Sequence, residues 1–156
     1  MNKDALEIRP AALSDIPDLV DLLRQLFSIE KDFQFDADIQ ARGLSLMLDG
    51  CGKHRIILTA CMEGRVIGMV SVQTRISTAR GKICGIMEDL VVDKEFRGNG
   101  IGTRLLREVY SWSRAHGIEH LWILADKDNA PALDFYAEQK WNSTNLICLT
   151  RNLEKK

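Results

Sequence analysis

Apolar residues recur at three- and four-residue steps at Ile16, Leu19, Val20, Leu23 and Phe27, the stripe of an amphipathic helix. Ser14 has the chemistry of its N-cap, Pro17 follows in the first turn, and Asp15 and Asp18 favour the positive helix end. A second helix is predicted over 36–48, carrying Ile39, Leu44 and Met47 or Leu48, with Gly50 as its stop. Residues 28–35 form a polar and aromatic connection between the two. Ahead of both, 7–10 is a short extended opening, because Pro10 disfavours helix at the residue before it.

From position 55 the period changes. Residues 55–61 are a strong apolar run, Glu63, Gly64 and Arg65 a hairpin turn, and 66–74 the returning strand. Residues 77–81 read as the next turn and 82–92 as a long third strand. A helix is predicted over 101–116, with Ile101, Leu105, Val109 and Trp112 on one face and Gly117 as its stop. Then follow a strand over 120–125, a short helix over 129–139 with Pro131 in its first turn, and a final strand over 145–151. The order β-α-α-β-β-β-α-β-α-β is mixed α/β. With no internal repeat, low-complexity tract or linker, residues 1–156 read as a single domain.

Composition narrows the function classes. A chain of 156 residues can bury roughly two-thirds of its unfolded surface, so neither disulfide nor metal is needed to hold it. Its 21 basic and 22 acidic residues leave a net charge of -1, which gives no electrostatic reason to expect nucleic acid or an anionic membrane as partner. The four cysteines, Cys51, Cys61, Cys84 and Cys148, contain no C-x-x-C spacing and no compact Cys/His set, so no metal site is expected. Cys61, Cys84 and Cys148 lie in apolar runs, where a free thiol acts as a small buried hydrophobe. Residues 1–9 lack the apolar region of a signal peptide, and no apolar stretch approaches the roughly 20 residues that span a bilayer. A reducing cytoplasmic setting is the expectation.

The candidate chemistry sits in Arg97-Gly98-Asn99-Gly100-Ile101-Gly102, between a predicted strand and a predicted helix. A helix start presents unpaired backbone N–H groups and the positive end of the macrodipole, and so attracts phosphate. Glycines allow close backbone approach and positive φ, and Arg97 and Arg104 can add charge-assisted bonds. A Walker loop would need a lysine that is absent before Thr103, and a dinucleotide-binding loop would need G-x-G-x-x-G after an early strand. A purely structural turn rarely needs three alternating glycines and a flanking arginine.

The segment from Val91 through Asp93, Phe96 and Arg97 to Gly102 resembles the pyrophosphate-binding motif of the GNAT N-acetyltransferase superfamily, with Arg97, Gly100 and Gly102 at its key positions. Asn129, Ala132, Phe135 and Tyr136 are similar to that family's Asn-x-x-Ala-x-x-Phe-Tyr segment, beside the lower arm of coenzyme A. One departure is Lys140-Trp141, where the family often has Gly-Phe. The resemblance covers nearly the whole chain. It implies a mixed, mostly antiparallel central sheet flanked by helices, acetyl-coenzyme A as cosubstrate, a small-molecule or peptide amine as acceptor, and a homodimer as the suggested assembly.

The same resemblance distributes the roles. Backbone amides of Gly98, Asn99, Gly100, Ile101, Gly102 and Thr103 would hold the pyrophosphate. The strand end Leu90-Val91-Val92 would splay from its neighbour, pair with the pantetheine arm and polarise the thioester carbonyl. Asn129 would lie by the cofactor, and Tyr136 would protonate the departing thiolate. For the base that deprotonates the amine, Glu88 and Asp89 are the candidates beside solvent, with Glu88 favoured by the family's habit. Strand alternation places the two on opposite faces, with Leu90 and Val92 on the face of Glu88. Glu30 and Asp32 are weaker candidates for holding a cationic acceptor, and none of His54, His116 and His120 is expected to be essential. Acetyl transfer would be direct, without an acetyl-cysteine. A non-catalytic acyl-coenzyme A sensor is the alternative reading.

Overall fold

The computed structural model describes residues 6–50 and 52–153. The chain divides into two compact units, Met1–Ile123 and Leu124–Lys156, each with its own elements.

The first unit is a five-stranded sheet in the order β1-β2-β3-β4-β5, made of β1 (Leu6–Pro10), β2 (Arg55–Met62), β3 (Arg65–Ser77), β4 (Lys82–Val92) and β5 (Leu121–Ile123). The first four pair antiparallel and β5 runs parallel to β4. The turn joining β2 and β3 needs two residues of positive φ, which Glu63 at 51° and Gly64 at 80° supply. The helices α1 (Ile16–Phe27) and α2 (Ala37–Leu48) connect β1 to β2, and α3 (Ile101–Ala115) follows β4.

Each sheet face is buried by a different set of helices. Leu19, Leu22 and Leu23 of α1 and Leu44 of α2 pack with Ile57, Met69 and Val91 of the sheet. On the opposite face, α3 buries Ile101, Leu105, Leu106 and Val109. Gly68 lets that helix come close, since a Cβ there would lie 3.4 Å from Leu105 Cδ1 and 3.2 Å from the Val91 carbonyl.

Three expectations are corrected. Ser14 is not the cap of α1: Leu13–Asp15 form a 3-10 turn, and Asp15 precedes the helix. The reason is the Asp15 carboxylate, which accepts from Arg9 Nη1 at 2.7 Å, Arg9 Nη2 at 2.9 Å and the Ala12 amide at 2.8 Å. These bonds hold its carboxyl below the ordinary aspartate range and pull the chain into the tighter turn. The α2 stripe is thinner than its pattern implied, with Leu44 buried and Ile39 56% exposed; Asp36 caps this helix by accepting from the Asp38 and Ile39 amides.

The third correction lies in the second unit. Its helix α4 (Ala130–Glu138) is capped by Asn129, whose Oδ1 accepts from the Ala132 amide at 3.2 Å. Residues 145–151 form no strand, and Leu146, Ile147 and Leu149 are each at least 80% exposed. A strand exists only where a neighbouring ladder accepts its backbone, and apolar pattern alone does not supply one. Cys148 is accordingly exposed, whereas Cys61 and Cys84 are buried free thiols as expected; Cys51 lies outside the described residues.

Candidate active site

The glycine loop is placed as its composition predicts. β4 ends at Val92, a 3-10 turn covers Lys94–Phe96, and α3 begins at Ile101. Asp93, 4% exposed, anchors the turn by accepting from Arg65 at 2.7 Å and from the Glu95 amide at 3.0 Å. Gly98 and Gly100 take φ of 75° and 76°, and a Cβ on either would meet nothing within 4 Å. Gly100 occupies the α3 cap position, and no side chain caps that helix. The first-turn amides of Ile101, Gly102 and Thr103 thus have no side-chain cap at the positive end of a 15-residue helix, which fits an anion.

Side chains around the loop mostly serve the loop itself. Arg97 Nε donates to the Val92 carbonyl at 2.9 Å, and Asn99 Nδ2 donates back to the Phe96 and Arg97 carbonyls. Ile101 is 1% exposed, so only its backbone is available. Arg104, expected to reach phosphate, instead directs Nη2 to the Leu6 carbonyl at 2.8 Å, because one helical turn carries it back over the first strand.

β4 is irregular where the chemistry was expected. Met69 opposes Val91 and Ser71 opposes Glu88, so two residues of β4 stand against one of β3. The extra residue is accommodated by Asp89 at φ 54°, a β-bulge. It overturns the simple alternation predicted for Glu88 and Asp89. Directly opposed residues share a face, so Glu88 lies with Ser71, while Val92, opposite Gly68, lies on the other side. Val92 therefore does not share the face of Glu88, and Val91, buried in the α1–α2 core, does. β5 pairs with β4 only at Gly85, Ile86 and Met87. Among the described residues, the β4 edge from Glu88 through Leu90 to Val92 thus has no strand partner on that side.

The bulge turns Asp89 into a cavity of about 420 Å³ under α1 and α2, lined by Leu23, Phe27, Ile39, Leu44, Met47, Arg55, Ile57, Ser71, Gln73 and Asp89 among others. Glu88, Glu30, Asp32 and the three histidines are not among its walls. Ser71 Oγ has two acceptors in range, Asp89 Oδ2 at 3.1 Å and the Glu88 carbonyl at 3.2 Å. Burial pushes the Asp89 carboxyl up to about 6, the Glu88 charge adds to the rise, and the Ser71 bond opposes it. Ser71, Gln73 and Arg55 were not singled out from sequence. The available signal was weak: in the apolar run 66–74, polar residues appear at two-residue spacing, Ser71 and Gln73.

In the second unit, the Tyr136 ring stands edge-on to Phe135 at 5.4 Å and tilted against Trp141 at 5.9 Å. Trp141, at the departure Lys140-Trp141, thus stands beside Tyr136.

A mixed sheet, an uncapped glycine-led helix start and a strand edge left open beside a bulge define an acyltransferase framework. The chain belongs to the acetyltransferase (GNAT) family, whose model matches residues 16–141. It is an N-acetyltransferase. An uncharacterized N-acetyltransferase of Archaeoglobus fulgidus is 28% identical over 86% of this chain and 91% of its own. An aminoalkylphosphonate N-acetyltransferase of Salmonella typhimurium is 27% identical over 89% of this chain and 86% of its own. Among solved structures, an aminoglycoside acetyltransferase from an uncultured soil metagenomic sample, in complex with trehalose, superposes with a TM-score of 0.80 at 23% identity, covering 99% of this chain and 100% of that one. That last likeness bears on the fold.

Proposed function

We propose that the chain moves acetyl from acetyl-coenzyme A to a small primary amine by direct attack, with the amine seated in the cavity beside Asp89. The observation that carries this reading is the half-buried Asp89 carboxyl, bonded to Ser71, raised to about 6 and lining that cavity at the bulge of β4. At neutral pH roughly one alkylamine in a thousand is uncharged, so a resident base matters. Asp89 takes the ammonium proton, directly or through water, and the freed amine attacks the thioester carbon. The C–N bond forms, the C–S bond breaks, and the thiolate leaves with a proton from Tyr136, a role carried by the family resemblance of the segment from Asn129 to Tyr136; the second proton of the attacking nitrogen passes through water to restore the Tyr136 hydroxyl. A backbone N–H in the strand end Leu90-Val91-Val92 polarises the carbonyl. The pyrophosphate sits on the amides from Gly98 to Thr103, and the family resemblance alone assigns Asn129 to the lower arm.

Asp89 stands ahead of Glu88 as base because Glu88 does not line the cavity; its charge instead makes Asp89 more basic. A cavity of about 420 Å³ matches a small molecule, and one relative is named for aminoalkylphosphonates, which are small amines. The buried free thiols Cys61 and Cys84 suit a reducing, cytoplasmic compartment. No helix among the described residues is long and apolar enough to cross a membrane.

The test is calorimetric titration with acetyl-coenzyme A, followed by thiol release across a panel of amines. Binding with turnover on small primary amines is the expected result. Failure to bind acetyl-coenzyme A would remove the proposal; binding with turnover only on peptide amines would transfer it to a different acceptor.

A further inference from the structure

The cavity holds a second charge that proton transfer does not use. Arg55 opens β2 opposite Gln73, and two residues along the strand Ile57 opposes Ser71, the partner of Asp89. Arg55, Gln73, Ser71 and Asp89 all line the cavity. The guanidinium is anchored, with Nη2 donating to the Asp49 carbonyl at the end of α2. Its Nε is shielded from solvent and has no hydrogen-bond acceptor. A shielded N–H left without an acceptor is uncommon in a native chain. Where Arg55 lines the cavity, its guanidinium is the cationic group that a ligand oxygen would meet.

The charges are spaced like the two ends of a ligand. Arg55 and Asp89 are separated by two strands and about two ladder positions, which puts their Cα atoms roughly 12 Å apart from ordinary strand spacings. The walls between them include Leu23, Phe27, Leu44 and Ile57. One carboxyl set against one guanidinium does not favour a polycation, because each further ammonium would enter an apolar wall without a partner. An oxyanion at the Arg55 end, by contrast, gains a charge-assisted bond.

We infer that the acceptor is an amine with an apolar body and a terminal oxyanion, carboxylate or phosphonate, which Arg55 binds while Asp89 receives the amine. This rests on the acceptor site proposed above, and Arg55 acts in it as a specificity residue.

The test uses amine-free probes, so it does not depend on turnover. Hexanoate, hexylphosphonate and neutral hexanamide are titrated into the intact protein, followed by NMR chemical-shift changes, in the wild type, Arg55→Gln and Arg55→Lys. The wild type should bind the tighter oxyanion at least tenfold better than hexanamide, and whichever of the two is tighter names the group. Arg55→Gln should abolish that preference and Arg55→Lys restore part of it, with circular dichroism establishing that each variant is folded. In turnover, 6-aminohexanoate or its phosphonate analogue should exceed hexylamine at least tenfold in kcat/KM. Equal affinity of the wild type for hexanoate, hexylphosphonate and hexanamide overturns the inference, even if no variant folds. So does a preference that survives in folded Arg55→Gln. Acetyl-coenzyme A titration on the same samples separates the two readings: intact binding with no oxyanion preference removes this inference alone, and lost binding removes the enzyme assignment of the cavity instead.

Discussion

The glycine loop before α3 and the cavity under α2 are both offered as binding sites, yet they are built from different material. The loop consists of consecutive residues whose backbone does the work: two left-handed glycines, an uncapped helix start and an arginine folded onto the carbonyl just behind it. The cavity is made of side chains from α1, α2, β2, β3 and β4, and its one acid is aimed there by a bulge. The first kind of site tolerates changes in its side chains but not in its glycines. The second has the reverse sensitivity, and it can change substrate while the fold stays the same.

That contrast can be broken at either end. The largest effect is expected at Asp89. Asp89→Asn should lower kcat/KM by about 10²- to 10⁴-fold, the range for loss of a general base, and should erase an acid limb near pH 6 in the wild-type profile. The same substitution should stabilise the fold. Asp89 holds its proton more tightly in the folded chain than the reference 3.8, so its contribution to stability is present below that value and lost as pH rises through about 6. Above pH 6, Asp89→Asn should therefore unfold at higher denaturant concentration by up to about 3 kcal/mol, with the difference vanishing towards pH 3. A variant that loses both activity and stability would instead make Asp89 a structural residue.

Gly100→Val sharpens the other end. With φ of 76° and no neighbour within 4 Å of its Cβ, valine meets backbone strain of about 1–2 kcal/mol but no protein clash. Acetyl-coenzyme A affinity should fall by about a hundredfold or more, well beyond that strain. Titration showing near-native affinity would move the phosphate site elsewhere. The smallest effect is expected from Ser71→Ala. Its hydroxyl bond holds the Asp89 pKa down, so removing it should shift the acid limb of kcat/KM above pH 6 while leaving acetyl-coenzyme A binding alone. A limb that moves to lower pH would contradict that geometry.

Legibility followed the same division. β4 was read at its observed bounds, and α3 and α4 within one residue of theirs, because glycine, proline and asparagine act on the peptide units beside them. Ser14 and the segment 145–151 were misread for a common reason. Asp15 is claimed by Arg9, six positions earlier, and 145–151 meets no ladder, so local propensity was overruled or left without a partner. Glu88 was favoured over Asp89 by the family's habit, and the alternation that set the two on opposite faces is interrupted by one inserted residue.

What the chain's residues determined by themselves was therefore short-ranged: the order of elements, the glycine loop with its helix start, and the family to which those motifs point. Tertiary structure alone decided which carboxylate lines the cavity, where Arg55 ends up relative to it, and that Arg104 is tied to the first strand rather than left for a ligand. The physical reason is reach. Backbone conformation is biased by residues within a few positions, whereas the pKa of Asp89 and the orphaned Nε of Arg55 depend on solvent exclusion and partners brought in from distant segments of the chain.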